Sequence, residues 1–200
     1  MRTVTGLFDD YTDARTAVSE LEAAGVPSRD ISIVSNNAGG HYAEDTNAAK
    51  GTGAGAGIGA VIGGAGGLLT GLGVMAIPGV GPVVAAGWLA ATAVGAAGGA
   101  VAVGAVRGLI GAMTRAGISK DDANVYAEGV RRGGSFVTAR VEEAFVPEAE
   151  AILKRARRVD PAERRLAYHE QGWTGFDEMQ RPFSPEDVKR ERSRYRHSAV

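Results

Sequence analysis

Apolar positions recur along this chain at three different spacings, and each spacing predicts a different kind of element. Thr3-Val-Thr-Gly-Leu-Phe8 is a short run of β-formers and predicts a strand. Asp9, Asp10 and Thr12 then supply capping oxygens and first-turn acids, so Asp9-Asp10 reads as a helix start. Ala14, Ala17, Val18, Leu21 and Ala24 follow at helical spacing, with Gly25 as a left-handed stop and Pro27 just beyond. Ile31-Ser-Ile-Val-Ser35 predicts a second strand, giving a β-α-β opening.

A similar grammar returns after residue 116. Ser119 precedes Lys120-Asp-Asp122 as a cap, Ala123, Val125, Tyr126, Ala127 and Val130 give apolar faces, and Gly133-Gly134 stops the helix. Ser135-Phe-Val-Thr-Ala-Arg-Val141 alternates as a strand does. Pro147 opens another helix, with Ala149, Ile152, Leu153 and Ala156 on one side and basic residues near its end. A short strand at Val159 would close a second β-α-β unit. Two such units predict an α+β fold of the ferredoxin-like, split β-α-β type; a three-stranded sheet without the last strand is the alternative.

Between these pieces no charged residue occurs from Lys50 to Arg107. Glycine stands at every fourth position at Gly51, Gly55, Gly59, Gly63, Gly67 and Gly71. Looser rows continue through Gly87, Ala91, Gly95 and Gly99, and through Ala96, Ala100, Gly104, Gly108 and Ala112. A flexible linker has no reason to keep such spacing. On a helix these residues make a groove into which another backbone can pack closely. Each glycine costs a helix about 1 kcal/mol relative to alanine, so packing or a bilayer must offset the loss. Pro78, Gly79, Gly81 and Pro82 read as a turn between two helical arms, 53–76 and 83–106, each near the roughly 20 residues that span a bilayer. The reading is an inserted Gly/Ala-rich antiparallel helical hairpin. It predicts either a membrane hairpin with Lys50, Arg107 and Arg115 on the cytoplasmic side, or a soluble hairpin packing against copies of itself. Against the membrane reading stand the poor apolar drive of Gly and Ala and the presence of one aromatic anchor, Trp88.

The tail is charged. Trp173 and Phe176 are spaced as anchors of a strap packed on the domain. Ser184-Pro185-Glu186-Asp187 is a helix start, after which Lys189, Arg190, Arg192, Arg194 and Arg196 make the helix basic. A solvated helix is the plain reading of these cations, and anionic lipid headgroups are the second. Four segments follow: 1–48 and 117–162 as halves of the α+β domain, 49–116 as the hairpin, and 163–200 as a C-terminal extension.

Composition narrows the function. A formal charge of −1 over 200 residues gives no field that would draw nucleic acid. Cysteine is absent, which removes thiol catalysis and disulfides. The opening residues have no apolar run of a secretory signal, so a cytoplasmic N-terminus is expected. Gly71-Leu-Gly-Val-Met-Ala76 fits a loose dinucleotide pattern, but no strand is predicted before it and no acid occurs before Asp121. Histidines stand only at 41, 169 and 197, without helical zinc spacing; His41 with Glu44 and Asp45 reads as a polar loop. No serine occupies a nucleophile elbow. The expectation is no catalytic residue, no cofactor and no metal site.

The opening unit, together with Ile77-Pro-Gly-Val-Gly-Pro-Val-Val-Ala-Ala-Gly87, Ala116-Gly-Ile-Ser-Lys-Asp-Asp-Ala-Asn-Val-Tyr126 and Val130-Arg-Arg-Gly-Gly-Ser-Phe-Val137, resembles the bacterial general stress protein 17M-like family, with its heat-induced stress protein YflT-like domain. The resemblance runs over about residues 3–160. It implies a stress-associated protein with no catalytic residues to carry over. The combined expectation is a non-enzymatic stress-response protein whose hairpin associates with membrane lipid, with a second copy of the chain, or with both. The alternative is a soluble regulatory or small-ligand-binding module in the cytoplasm.

Overall fold

The structure is a computed structural model describing residues 1–38, 73–77, 80–89 and 105–196. Within them β1 (Arg2–Phe8) leads through α1 (Tyr11–Ala23) to β2 (Ile31–Asn36), followed by β3 (Gly73–Ile77) and β4 (Gly81–Gly87). Helices α2 (Ala105–Arg115) and α3 (Lys120–Arg131) precede β5 (Ser135–Val141) and α4 (Val146–Arg155). The chain ends with α5 (Pro161–Glu170) and α6 (Pro185–Arg196).

The strands make one five-stranded sheet in the order β1-β5-β2-β4-β3, antiparallel at every pairing. The expected strand at Val159 is a single bridge to Leu7 on the outer side of β1, where the Val159 N–H donates to the Leu7 carbonyl at 2.8 Å. Arg158 also donates to the Thr5 carbonyl at 3.1 Å.

Strand alternation sends successive side chains to opposite faces, and helices cover both. On one face Val4, Phe8, Ile31, Ile33, Val84, Ala86, Val137 and Ala139 meet α1 and α4 through Val18, Leu21, Ile152 and Leu153. On the other, Leu7, Val34, Val83, Ala85 and Phe136 meet α2 and α3 through Leu109, Met113, Tyr126 and Val130. This two-sided cover explains why every residue of β2 is buried, including Ser32 and Ser35. Their hydroxyls are satisfied: Ser35 shares a 2.6 Å hydrogen bond with Ser135, and Ser32 Oγ accepts from the Leu89 N–H at 2.9 Å.

The expected helix punctuation is present. Gly25 takes φ +94° after α1, Ser119 Oγ accepts from the Asp122 N–H at 3.0 Å, and Pro147 lies in the first turn of α4. Asp10 precedes α1 without a side-chain capping bond, and Asp9 is occupied elsewhere.

Residues 73–87 correct the helical-hairpin reading. They form a β-hairpin in the same sheet, β4 pairing with β2 from Ser32↔Gly87 to Asn36↔Val83, and β3 pairing with β4 from Gly73↔Ala85 to Ile77↔Gly81. Gly81 and Pro82 open β4 instead of joining helices. Gly87 is a strand end at φ +93°, where a Cβ would fall on the Ile31 carbonyl oxygen, so its glycine is required by sheet geometry and not by helix packing. The arm expected at 83–106 therefore starts as a strand. The β-branched Val83 and Val84 beside Pro-Gly punctuation favour a hairpin over a helix. Gly108 falls in α2, and Ala112 of the same row packs in the second core. Gly51, Gly55, Gly59, Gly63, Gly67, Gly71, Pro78, Gly79, Gly95, Gly99 and Gly104 lie outside the described residues, as do Lys50, His41, Glu44 and Asp45.

Candidate functional site

Among the described residues two surfaces stand out: the β3–β4 hairpin, and the seam where the C-terminal strap meets α3. At the hairpin, Val80 donates its N–H to the Ile77 carbonyl at 3.0 Å and buries its side chain in the core shared with α2 and α3. The turn end is thus tucked inward. At the opposite, open end Gly73 pairs with Ala85, and Gly87 lies two residues on. The small-residue segments preceding Gly73 and following Leu89 therefore join the domain at the same end of the ribbon. Trp88 is used internally: its indole N–H donates to the Asp30 carbonyl at 3.2 Å, and the Arg140 guanidinium lies 4.7 Å from the ring centroid.

The strap seam is built on the last turn of α3. Glu128, nearly fully buried, accepts from Arg131 at 2.9 and 2.5 Å and from Arg132 Nε at 2.6 Å. Arg132 reaches across to Glu191 of α6 at 2.7 Å and to the Gln171 side-chain oxygen, with its guanidinium 4.1 Å from the Tyr168 ring centroid. Burial works against the charge on Arg132, but its hydrogen bonds to Glu191 and Glu128 win and hold its pKa above the ordinary arginine value. Arg164 of α5 makes a paired contact with Asp9, at 2.7 and 2.9 Å, and lies 3.7 Å from the Tyr195 ring centroid. Asp9, read from the sequence as a cap, is thus the core's clamp on the strap.

Trp173 and Phe176 are anchors, as their spacing suggested. Trp173 packs edge-on against Tyr168 beside Val125, and Phe176 rests on the second core with its N–H donating to Asn124 Oδ1 at 3.3 Å. Burial pushes the Tyr168 phenol pKa up against the lowering effect of Arg164, and neither its hydroxyl nor the Trp173 indole N–H has a hydrogen-bond partner among the described residues. Arg192 turns inward to the Gly133 carbonyl at 2.7 Å, Arg194 contacts Glu191 and Gln171, and Arg190 contacts Asp187. The expected solvated helix is thus only half so: Arg190 and Arg194 pair with acids of α6 on its open side, while Val188, Glu191 and Arg192 turn toward the domain. The sequence located the strap but missed Arg132, Glu128 and Glu191. Only the i, i+4 spacing of Glu128 and Arg132 hinted at an ion pair, and that spacing is common on solvated helices.

Among the described residues no cluster of His, Asp or Glu could hold a metal ion, and no helix is long and apolar enough to cross a membrane. Fold and surfaces together define an α+β sheet domain with an ion-paired C-terminal strap. Residues 3–77 match the family model of the heat induced stress protein YflT domain, so the resemblance drawn from the sequence holds over that stretch. No curated protein and no solved structure matches the chain.

Proposed function

We propose that this chain is a non-enzymatic general stress-response protein that acts by self-assembly through its glycine rows. The family match over residues 3–77 supports the stress-response role. Its core is ferredoxin-like: Val159, β1, β5 and β2 follow one another across the sheet, with the fourth strand shortened to one bridge. The β-hairpin and the helices α2 and α3 are insertions between the two halves of that core.

One observation carries the assembly reading. The register of β3 and β4 brings the roots of both small-residue segments, Gly73 and Gly87, to neighbouring strands at one end of the ribbon. Small-residue rows favour close approach of helix backbones. The internal use of Trp88 weighs against a bilayer, because it removes the aromatic that would sit at the interface.

The test compares the wild-type chain with the paired Gly59→Leu and Gly63→Leu variant. Sedimentation velocity is expected to find an oligomer in the first and a smaller species in the second. Retention of the wild type on membranes through salt and alkaline carbonate washes would make lipid the partner instead. A wild-type monomer recovered from the cytosol would remove the glycine rows from the mechanism.

A further inference from the structure

The strap meets the start of β4 at Pro182, and that contact is built differently from the core. Pro182 lies over Gly81, where the backbone has φ +98° and a Cβ would come within 2.9 Å of the proline Cβ. On either side, the Arg181 carbonyl accepts from Arg131 at 3.4 Å, and the Phe183 ring lies beneath the Arg131 guanidinium at 4.8 Å from its centroid. The tripeptide Arg181-Pro182-Phe183 is thereby wedged between the end of α3 and the hairpin. Behind it Ser184 and Asp187 cap α6 reciprocally, at 3.0 and 3.2 Å, and Val188 fills the space that a side chain at Gly133 would take.

We propose that residues 160–196 are a reversible latch that holds the hairpin against α3, so that strap and hairpin open as one unit while the rest of the sheet stays closed. The reason for reversibility lies in the ion pair that straddles the seam. When Arg132 and Glu191 part, Arg132 keeps Glu128 and Glu191 keeps Arg194, whose guanidinium stands at 3.1 Å. Neither charge is orphaned, so separation avoids the penalty that ordinarily makes breaking a buried pair costly. In the Arg164–Asp9 pair, Asp9 is already partly hydrated. A polar surface cleft of about 440 Å³ runs along the seam between Arg132, Gln171, Phe183 and the Arg190–Arg194 stretch of α6, so water reaches the rim of these ion pairs. The apolar contacts that remain, Tyr168, Trp173 and Val188, fix where the strap docks.

Hydrogen exchange on the intact chain tests this without any claim about what the glycine rows do. In the wild type at low denaturant, amides of 74–86 and of 160–196 are expected to share one opening reaction. Those of β1, β5 and α1 should be protected at least tenfold more. In a Phe183→Ala, Glu191→Gln double variant, both latch regions should exchange at least tenfold faster, with β1, β5 and α1 unchanged. Faster exchange confined to 160–196 would overturn the coupling of strap to hairpin. Equal acceleration everywhere, or one common opening for all amides in the wild type, would show that no separate latch exists.

Discussion

Gly25 and Gly87 have nearly the same positive φ, +94° and +93°, yet their surroundings differ. Nothing stands within 4 Å of a Cβ built on Gly25, so Gly25→Ala meets only the left-handed backbone penalty, about 1 kcal/mol. At Gly87 the same Cβ meets the Ile31 carbonyl and the Ser32 backbone, so Gly87→Ala must also pull β4 away from β2. A loss of about 3 kcal/mol is expected there, read as a lower urea midpoint beside that of Gly25→Ala. Asp187 offers a residue-scale pH prediction. The Ser184 hydroxyl and N–H, with help from Arg190, hold its carboxyl below the ordinary aspartate range. Its capping contribution is therefore complete above about pH 3.9, the unfolded value, and is lost as pH falls through the lower folded value. The Ser184 and Asp187 amide shifts should move in that acid window, and Asp187→Asn should abolish the transition.

At the scale of elements, the strap is held by partners on separate parts of the chain, and truncating the two sides of one pair should not be equivalent. Asp9→Ala leaves the Arg164 guanidinium buried without its carboxylate, a loss on the order of 2 kcal/mol. Arg164→Met removes the buried charge itself, keeps an apolar stem beside Tyr195, and leaves Asp9 partly solvated. It should cost less. Chemical denaturation of the two single variants checks the order. The elements themselves were unevenly legible. α1, α3 and α4 follow from the helical spacing of their buried residues, and β2 and β5 from short runs of β-formers. β3 and β4 did not, because Pro-Gly punctuation stops a helix and turns a hairpin equally well. Between the two, the pairing of β4 with β2 decides, and that contact joins residues about fifty positions apart in sequence.

For the whole molecule, the governing fact is that the sheet is covered on both faces. Helices α1 and α4 cover one face, and α2 and α3 cover the other. Elements β3, β4, α2 and α3 thus share the cores of this sheet. Val84→Asp places an unpaired carboxylate in a fully buried position of the first core, so it should release the hairpin first: amides of β4 should exchange faster, while β1, β5 and α1 keep a cooperative thermal transition in calorimetry. Of the two edges, β1 is partly closed by Val159 and Arg158, whereas β3 is the last strand among the described residues. Gly73, which the first glycine row precedes in sequence, opens that edge strand, and the proposed assembly would act there.

The sequence by itself determined the Ser119 cap and the glycine stop at Gly25, the α+β class, the lack of a recognisable catalytic motif and the anchoring role of Trp173 and Phe176. Each is set within a dozen or so residues, by backbone stereochemistry or by the period of an apolar face. Tertiary structure alone decided that 73–87 is a sheet hairpin, that Asp9 clamps Arg164, and that Arg132 bridges Glu128 to Glu191. Those outcomes depend on which distant groups share a water-poor seam, where an ion pair or a strand pairing outweighs local preference. No spacing along the chain encodes that neighbourhood.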